Sequence, residues 1–382
     1  MKPLLLLVCL CFGLLVSWDA QSQVQSGQGI TDCDQKLELA TSEFNAGHFF
    51  GLPSILKDCL NGSLSTEQTI RANLLLCQAY LVMDDPLAAE ASYLRLLKAD
   101  PEYVATPEKD PIEVVYLSKK FTSRPIFTPH YGIGVNLSLY RSIYEINPFS
   151  LGGATTRRTS RLGVQALAGV EWNPTDFFSV GAEAILATGG FKTITHKISD
   201  ADDFVGIEKQ TWLNVPLYLK YQKPLGKIRP YGYAGMSLNL LFRSTMSSME
   251  FRNNSSSDPT FSGVGITTGS DKSVLYQRRL LTRSVLIGGG VKYKVGVNFL
   301  YVDVRYSMGL NNLTRPETLY YDSSDGTTLS SLVTSYEFIG NFFRLDNMYL
   351  SVGYVMPVYD PRKIKTSSGW KLFKWKRDAE KK

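Results

Sequence analysis

Beyond residue 20 the sequence has no long apolar run, and it has few histidines and few cysteines. A membrane-spanning helix needs about 20 consecutive, mostly apolar residues, and residues 21–382 contain no such stretch. Metal-binding and catalytic motifs of the C-x-x-C, H-E-x-x-H, P-loop and dinucleotide types are also absent. We therefore expect no enzymatic activity, no cofactor and no metal site.

The sequence also lacks a strong overall charge. The formal net charge is +6, and residues 360–382 carry nine basic against three acidic residues. A modest charge that is concentrated at one end gives no field that would attract a polyanion. No nucleic-acid partner is expected.

The N-terminus has the features of a secretory signal peptide. Lys2 precedes an apolar run from Leu4 to Val16, and Ser17–Ala20 supplies small residues for cleavage after Ala20. We assign residues 1–20 to the signal peptide and the Gln/Ser/Gly-rich residues 21–30 to a flexible linker. Export would place the remainder of the chain in an oxidising compartment.

Three cysteines remain after cleavage, and all three lie in the N-terminal third of the chain. Cys77 falls on the apolar face of a predicted helix, so we expect it to be buried. Cys33 and Cys59 are then the expected disulfide pair.

Residues 31–123 have the spacing of helices. Ser65 with Gln68 predicts a capping box, and Asp85–Pro86 predicts the start of the next helix. The run ANLLLCQAYLVMDDPLAAEASYLRLLKADPEY resembles a tetratricopeptide repeat, which is about 34 residues long. This resemblance implies a periplasmic protein-interaction domain; the alternative is a helical spacer. The residues that match the repeat are Cys77, Tyr80, Ala89, Tyr93 and Pro101.

Beyond Pro125 apolar and polar residues alternate with a period of two, most clearly from Thr211 to Phe242. Two runs of about ten residues there each have one apolar and one mixed face, and a short Pro/Gly segment joins them. A hairpin of this kind occurs both in transmembrane barrels and in soluble sandwiches.

The spacing of all the strands distinguishes these alternatives. The short links NPTD, QKPLGK and KVG alternate with long polar links, as in outer-membrane barrels, whose periplasmic turns are short. The sequence therefore predicts an N-terminal α-helical domain followed by an eight-stranded antiparallel transmembrane β-barrel over residues 128–359. The predicted strands cover residues 131–140, 162–172, 177–186, 211–221, 231–242, 282–293, 300–308 and 347–358.

The central segment LNVPLYLKYQKPLGKIRPYGYAGMSL resembles the small outer-membrane β-barrel family common in Bacteroidetes, which includes PorT-like proteins. The resemblance rests on Pro216, Lys220, Pro230, Tyr231 and Gly235. It implies an outer-membrane location. The helical segment before the barrel is an addition to the minimal family pattern.

Charged residues occur on the predicted lumen face of several strands. A charge that faces lipid is expensive, so we expect these side chains to pair inside the barrel. The alternative is an ion path or a ligand site. We place His130 before the first strand and His196 in a solvated loop. The predicted interior charge network consists of Glu171, Glu183, Lys220, Lys292, Asp303 and Arg305.

The last segment, residues 360–382, is a basic periplasmic tail in this scheme. Its Trp370, Phe373 and Trp375 among lysines are typical of an anchor at a lipid interface. The expected protein is an outer-membrane barrel that contacts lipid and anchors a periplasmic helical domain, which binds a periplasmic or outer-membrane protein partner. A small ligand-binding or ion-conducting barrel is the alternative, and the oligomeric state has no signature in the sequence.

Overall fold

The computed structural model describes residues 27–62, 64–146, 155–196, 202–253, 265–321, 329–336 and 338–364. The predicted signal peptide and the tail residues Trp370, Phe373 and Trp375 lie outside these ranges. The chain divides into two compact units. One comprises residues 1–124 together with 359–382, and the other comprises residues 125–358.

The first unit is helical. Its helices are α1 (Gly27–Asn45), α2 (Leu52–Asn61), α3 (Thr66–Val82), α4 (Pro86–Ala99) and α5 (Ile112–Ser118). A two-stranded antiparallel sheet completes it, formed by β1 (Phe121–Thr122) and β12 (Arg362–Lys363). The first residues of the predicted tail are therefore part of the helical unit.

The helices α3 and α4 begin where the sequence predicts. The capping box of α3 is confirmed, because Gln68 N donates to Ser65 Oγ at 3.2 Å and Ser65 N donates to Gln68 Oε1 at 2.9 Å. The start of α4 is confirmed as well, with Asp85 accepting from Ala88 N and Pro86 in the first turn. These caps satisfy N–H groups that have no partner within the helix.

Two apolar clusters hold the helices together. The first joins α3, α4, α5 and β1, and the second joins α1, α2 and α3. Cys77 is fully buried in the first cluster, and burial raises the pKa of its thiol to about 12. A thiol in this environment stays protonated and unreactive near neutral pH.

Cys33 in α1 forms a disulfide with Cys59 in α2, across a Cα–Cα distance of 5.6 Å. Because α1 begins at Gly27, the last four residues of the predicted linker are helical instead. In the sequence, the helical spacing of Cys33 and Leu37 extends back to Ile30, which accounts for the difference.

The second unit is a closed antiparallel sheet of eight strands, as predicted. Consecutive strands pair around the ring, and the first pairs with the last. The ring strands are β2 (Phe127–Tyr144), β3 (Thr155–Trp172), β4 (Phe178–His196), β5 (Asp202–Gln222), β6 (Ile228–Asn253), β9 (Leu281–Val295), β10 (Asn298–Gly309) and β11 (Phe342–Val355). Two short strands, β7 (Gly265–Gly269) and β8 (Lys272–Ser273), pair with β6, and the short helix α6 (Ser331–Tyr336) precedes β11.

Side chains alternate between an outward apolar face and a buried inner face. On β5, Val215, Leu217 and Leu219 are exposed, whereas Tyr218 and Lys220 are buried. At the end with the short turns, outward aromatic side chains form a girdle, as is typical of a membrane interface. The girdle consists of Tyr131, Trp172, Phe178, Tyr221, Tyr293 and Tyr354.

Five strands are much longer than the sequence predicts. β2 and β3 have 18 residues each, and β4, β5 and β6 have 19, 21 and 26, although about 10 tilted residues suffice to cross a bilayer. The long polar link expected between β4 and β5 is thereby reduced to residues 197–201. The prediction is wrong here because strand pairing can continue beyond the apolar band, where outward residues are polar.

We expect an arginine on the outward, lipid-facing apolar band to destabilise the barrel most at the middle of the band and least at its ends. Val215 lies six residues from the girdle residue Tyr221 and is exposed outward. Val215→Arg should reduce the free energy of unfolding in lipid vesicles by about 2–4 kcal/mol, and Leu281→Arg at the far end of the band by about 0–1 kcal/mol. Urea unfolding followed by tryptophan fluorescence measures both. Equal losses would contradict a membrane-spanning band.

Candidate functional site

The inner face near the short turns carries a shared carboxylate. Glu171 on β3 accepts a hydrogen bond from Lys220 Nζ on β5 and one from Lys292 Nζ on β9, the latter at 3.1 Å. All three side chains are at least nine-tenths buried. Both ammonium groups also lie over the ring of Tyr231, at 4.3 and 5.5 Å from its centroid, where the electrons of the ring attract a cation.

A second acidic residue lies further along the barrel. Glu183 on β4 accepts hydrogen bonds from Arg305 Nη2 at 2.8 Å and from Tyr218 Oη at 2.7 Å. His130 Nε2 is 3.2 Å from Glu183 Oε1. The carboxylate is thus held by groups from three other strands, β2, β5 and β10.

Asp303 on β10 has tyrosines as partners. Tyr231 and Tyr233 on β6 donate their hydroxyl hydrogens to its two oxygens, at 3.0 and 2.7 Å. Arg305 Nε in turn donates to Tyr233 Oη at 2.7 Å. Tyr233 therefore connects Asp303 to the Glu183–Arg305 pair. The six predicted charges form one continuous network of hydrogen bonds and ring contacts.

Glycines provide the room for these tyrosines. The position of a Cβ on Gly288 is occupied by the ring of Tyr233, and that of a Cβ on Gly132 by the ring of Tyr301. Glycine is needed where another group approaches the backbone this closely. The cavity among the charged residues measures about 10 Å³, and a more distal polar cavity measures about 30 Å³. Such volumes hold roughly one to three water molecules.

Aromatic and apolar side chains fill the barrel beyond this polar part. Tyr140 stacks on Phe343 with centroids 4.4 Å apart and meets Phe191 edge-on at 4.9 Å. Nearby, Arg278 donates to both oxygens of Glu208, at 2.9 and 2.8 Å, and both residues are fully buried. A bidentate pair of this kind fixes the segment before β9 to β5.

Four residues of the inner network were not among those predicted from the sequence. His130 lies within β2 and not before it, and Tyr218, Tyr233 and Tyr301 accompany the charges. Each lies an even number of positions from a predicted inner residue of its strand. The alternation of faces along the strand therefore already indicated that these side chains point inward. His196 ends β4 and is paired in register with Asp203. No group of three or more potential metal ligands occurs within the part of the chain that the structure describes.

The residues matching the tetratricopeptide motif lie in or beside the first apolar cluster. Cys77, Ala89 and Tyr93 are buried in it, and Tyr80 packs against it. Pro101 is buried directly after α4. No helix among the described residues has the length and apolar character needed to cross a membrane.

Residues 129–315 match a family model described as an outer membrane protein beta-barrel domain. The chain is an outer-membrane β-barrel protein. No curated protein matches the chain. The match is to a broad family, so the finer resemblances to PorT-like proteins and to tetratricopeptide repeats stay predictions.

Solved structures similar to the chain include small outer-membrane proteins. Neisserial surface protein A is 13% identical, with 61% of this chain and 97% of that chain covered and a TM-score of 0.28. OprG from Pseudomonas aeruginosa is 12% identical, with 63% and 99% covered and a TM-score of 0.33. Ail of Yersinia pestis is 11% identical, with 61% and 99% covered and a TM-score of 0.26. At these values the likenesses carry no functional argument.

Removing the shared carboxylate should destabilise the barrel strongly, because two buried ammonium groups lose their partner. Glu171→Gln is expected to lower the free energy of unfolding by about 3–5 kcal/mol. The triple variant Glu171→Leu/Lys220→Met/Lys292→Met should recover most of that loss, since no charge is left unpaired. Urea unfolding in vesicles measures both, with the exposed Glu317→Gln as control. An unfolding curve for Glu171→Gln that coincides with that of the control would contradict the prediction.

Proposed function

We propose that the barrel is a non-enzymatic, non-conducting anchor that holds the helical unit in the periplasm, where it binds an envelope protein partner. The observation that carries this proposal is the filled barrel interior. The charges there balance, the carboxylates have partners on several strands, and the cavities among them hold only a few waters. An interior of this kind offers no path for ions and no room for a ligand.

The topology supports a periplasmic helical unit. β2 begins beside Trp172, the residue that precedes a short turn, and β11 ends at the same end of the barrel. Short turns lie on the periplasmic side of outer-membrane barrels. The chain therefore enters and leaves the barrel on that side, so the helices and residues 359–364 belong to the periplasm. The PorT-like resemblance agrees with an accessory role in envelope assembly or secretion.

The helical unit has an apolar surface at one of its ends. Val82 ends α3 just before the turn to α4, and Phe50 follows Phe49, which packs into the same apolar cluster as Met83 of that turn. Phe50 is 88% exposed and Val82 is 59% exposed. Leu87, in the first turn of α4, is 78% exposed. Large apolar side chains grouped on a surface are typical of protein-binding sites, so we propose that this end contacts the partner.

A first test concerns conduction. Purified protein in planar bilayers should give no ion current above that of the empty bilayer, because the network blocks the interior. Asp303→Asn and Arg305→Gln should remain silent as well, since neither change removes the packed rings around them. A steady conductance that either substitution alters would contradict the anchor and support an ion-conducting barrel.

A second test concerns the apolar end of the helical unit. Phe50→Ser/Leu87→Ser should abolish crosslinking to a single envelope protein while membrane insertion is unchanged. Ile112→Ser on α5 is the matched control, because Ile112 is half exposed but belongs to an element of the other cluster. Loss of the crosslinked band in both variants, or in neither, would contradict a binding surface at this end.

A further inference from the structure

The outward face of the barrel changes from apolar to basic at the end opposite the aromatic girdle. On three strands an arginine lies ten residues from a girdle tyrosine: Arg141 from Tyr131, Arg283 from Tyr293, and Arg344 from Tyr354. Ten residues at about 3.3 Å each, tilted by about 40°, span roughly 25 Å, the height of a lipid-facing band. These arginines therefore lie at the outer boundary of the band.

Other strands contribute bases at a similar height. We define the basic belt as the residues Arg141, Arg161, Lys209, Arg243, Arg283 and Arg344, which lie on β2, β3, β5, β6, β9 and β11. Within the described residues, the side chains of Arg161, Lys209, Arg243 and Arg283 have no acidic partner. Arg141 does have one, Asp346, at 3.1 Å. The belt thus has more positive charge than its neighbours neutralise.

Two belt residues, Arg141 and Arg344, lie so close together that a bound anion would stabilise them. Arg141 and Arg344 are direct partners in the register of β2 and β11, and like charges directly opposite each other are destabilising. Arg344 Nε is buried and has no hydrogen-bond acceptor within the described residues. Lipid tails cannot supply an acceptor, whereas a phosphate group at the interface can.

The belt continues into an open depression beside β9. Arg279 and Arg315 line it together with Leu280, Leu281 and Glu317, and its volume is about 460 Å³. The backbone brings these residues together: Arg279 N donates to Leu313 O, and Arg315 N donates to Gln277 O. Two guanidinium groups, those of Arg279 and Arg315, thus line the depression with two exposed leucines and the single carboxylate of Glu317. Arg283 follows two residues after Leu281 on the same face of β9.

We propose that the basic belt binds the phosphate groups of phosphorylated lipids in the outer leaflet, and that the depression lined by Arg279 and Arg315, together with Arg283 beside it on β9, is its principal site. Arginine binds phosphate oxygens through two parallel hydrogen bonds. The position at the far end of the band favours a lipid over a soluble anion. The inference rests on the proposed orientation of the barrel but not on the partner of the helical unit.

The test uses the full-length protein in detergent, titrated with bisphosphorylated lipid A and followed by native mass spectrometry. Arg283→Gln/Arg315→Gln should weaken binding at least tenfold. Lys223→Gln/Lys227→Gln, in the short turn before β6, removes the same charge at the other end and should leave binding unchanged. Wild-type protein should bind dephosphorylated lipid A weakly, to the same extent as the Arg283/Arg315 variant.

Three outcomes would overturn the proposal. Equal weakening in both double variants would mean that only overall charge matters. Unchanged lipid A binding by Arg283→Gln/Arg315→Gln would show that these arginines do not form the binding site. Inorganic phosphate that competes with lipid A at equal concentration would make the site one for a soluble anion. Heat-modifiable gel mobility verifies that each variant is folded. Because the helical unit is intact in all of them, loss of lipid binding is separable from loss of the protein partner.

Discussion

The pairing of β2 with β11 is the interaction on which the rest of the barrel depends. In hydrocarbon no water is available for unpaired backbone groups, so a sheet can cross a membrane only if it has no free edge. The register from His130–Val355 to Arg141–Arg344 closes the ring. Because this pairing is antiparallel, the start of β2 and the end of β11 lie at the same end of the barrel. The chain therefore leaves the barrel at the end where it enters.

Closure determines what the interior must contain. Eight strands leave a space that side chains can fill, and here tyrosines, glycines and paired charges fill it. Buried ion pairs add little net stability over apolar residues of the same volume, but an incomplete set is costly. Glu171 with two lysines, and Glu183 with Arg305 and His130, therefore connect six of the eight strands and favour a single register among them. Pairing each carboxylate with groups on several strands resists slippage of any one of them.

The sequence predicted the number of strands and the face of each residue because lipid imposes a period of two on the outward side. Strand ends were less predictable. Beyond the hydrocarbon, Lys192 and Lys209 can face polar surroundings without breaking the pairing of β4 with β5, so the apolar signal stops before the strand does. His130 was misplaced for the same reason, since Pro129 and Thr128 before it gave no alternation. The partners of Asp303 depend on register around the ring, which one strand's sequence does not contain.

The long strands extend beyond the membrane, where lipid cannot cover their apolar side chains. Outside the lipid, β5 and β6 require an apolar cover of their own, and Phe204, Met246 and Phe251 form it together with Tyr336 of α6. Below this cover, Tyr140, Phe191 and Phe343 pack inside the barrel, and the charged network fills the interior from there to the short turns. Three successive layers of different chemistry therefore occupy one ring. Because each layer is packed by residues from several strands, the interior is a core that stabilises the barrel. The surfaces still available for binding are those outside it, the helical unit and the outer face.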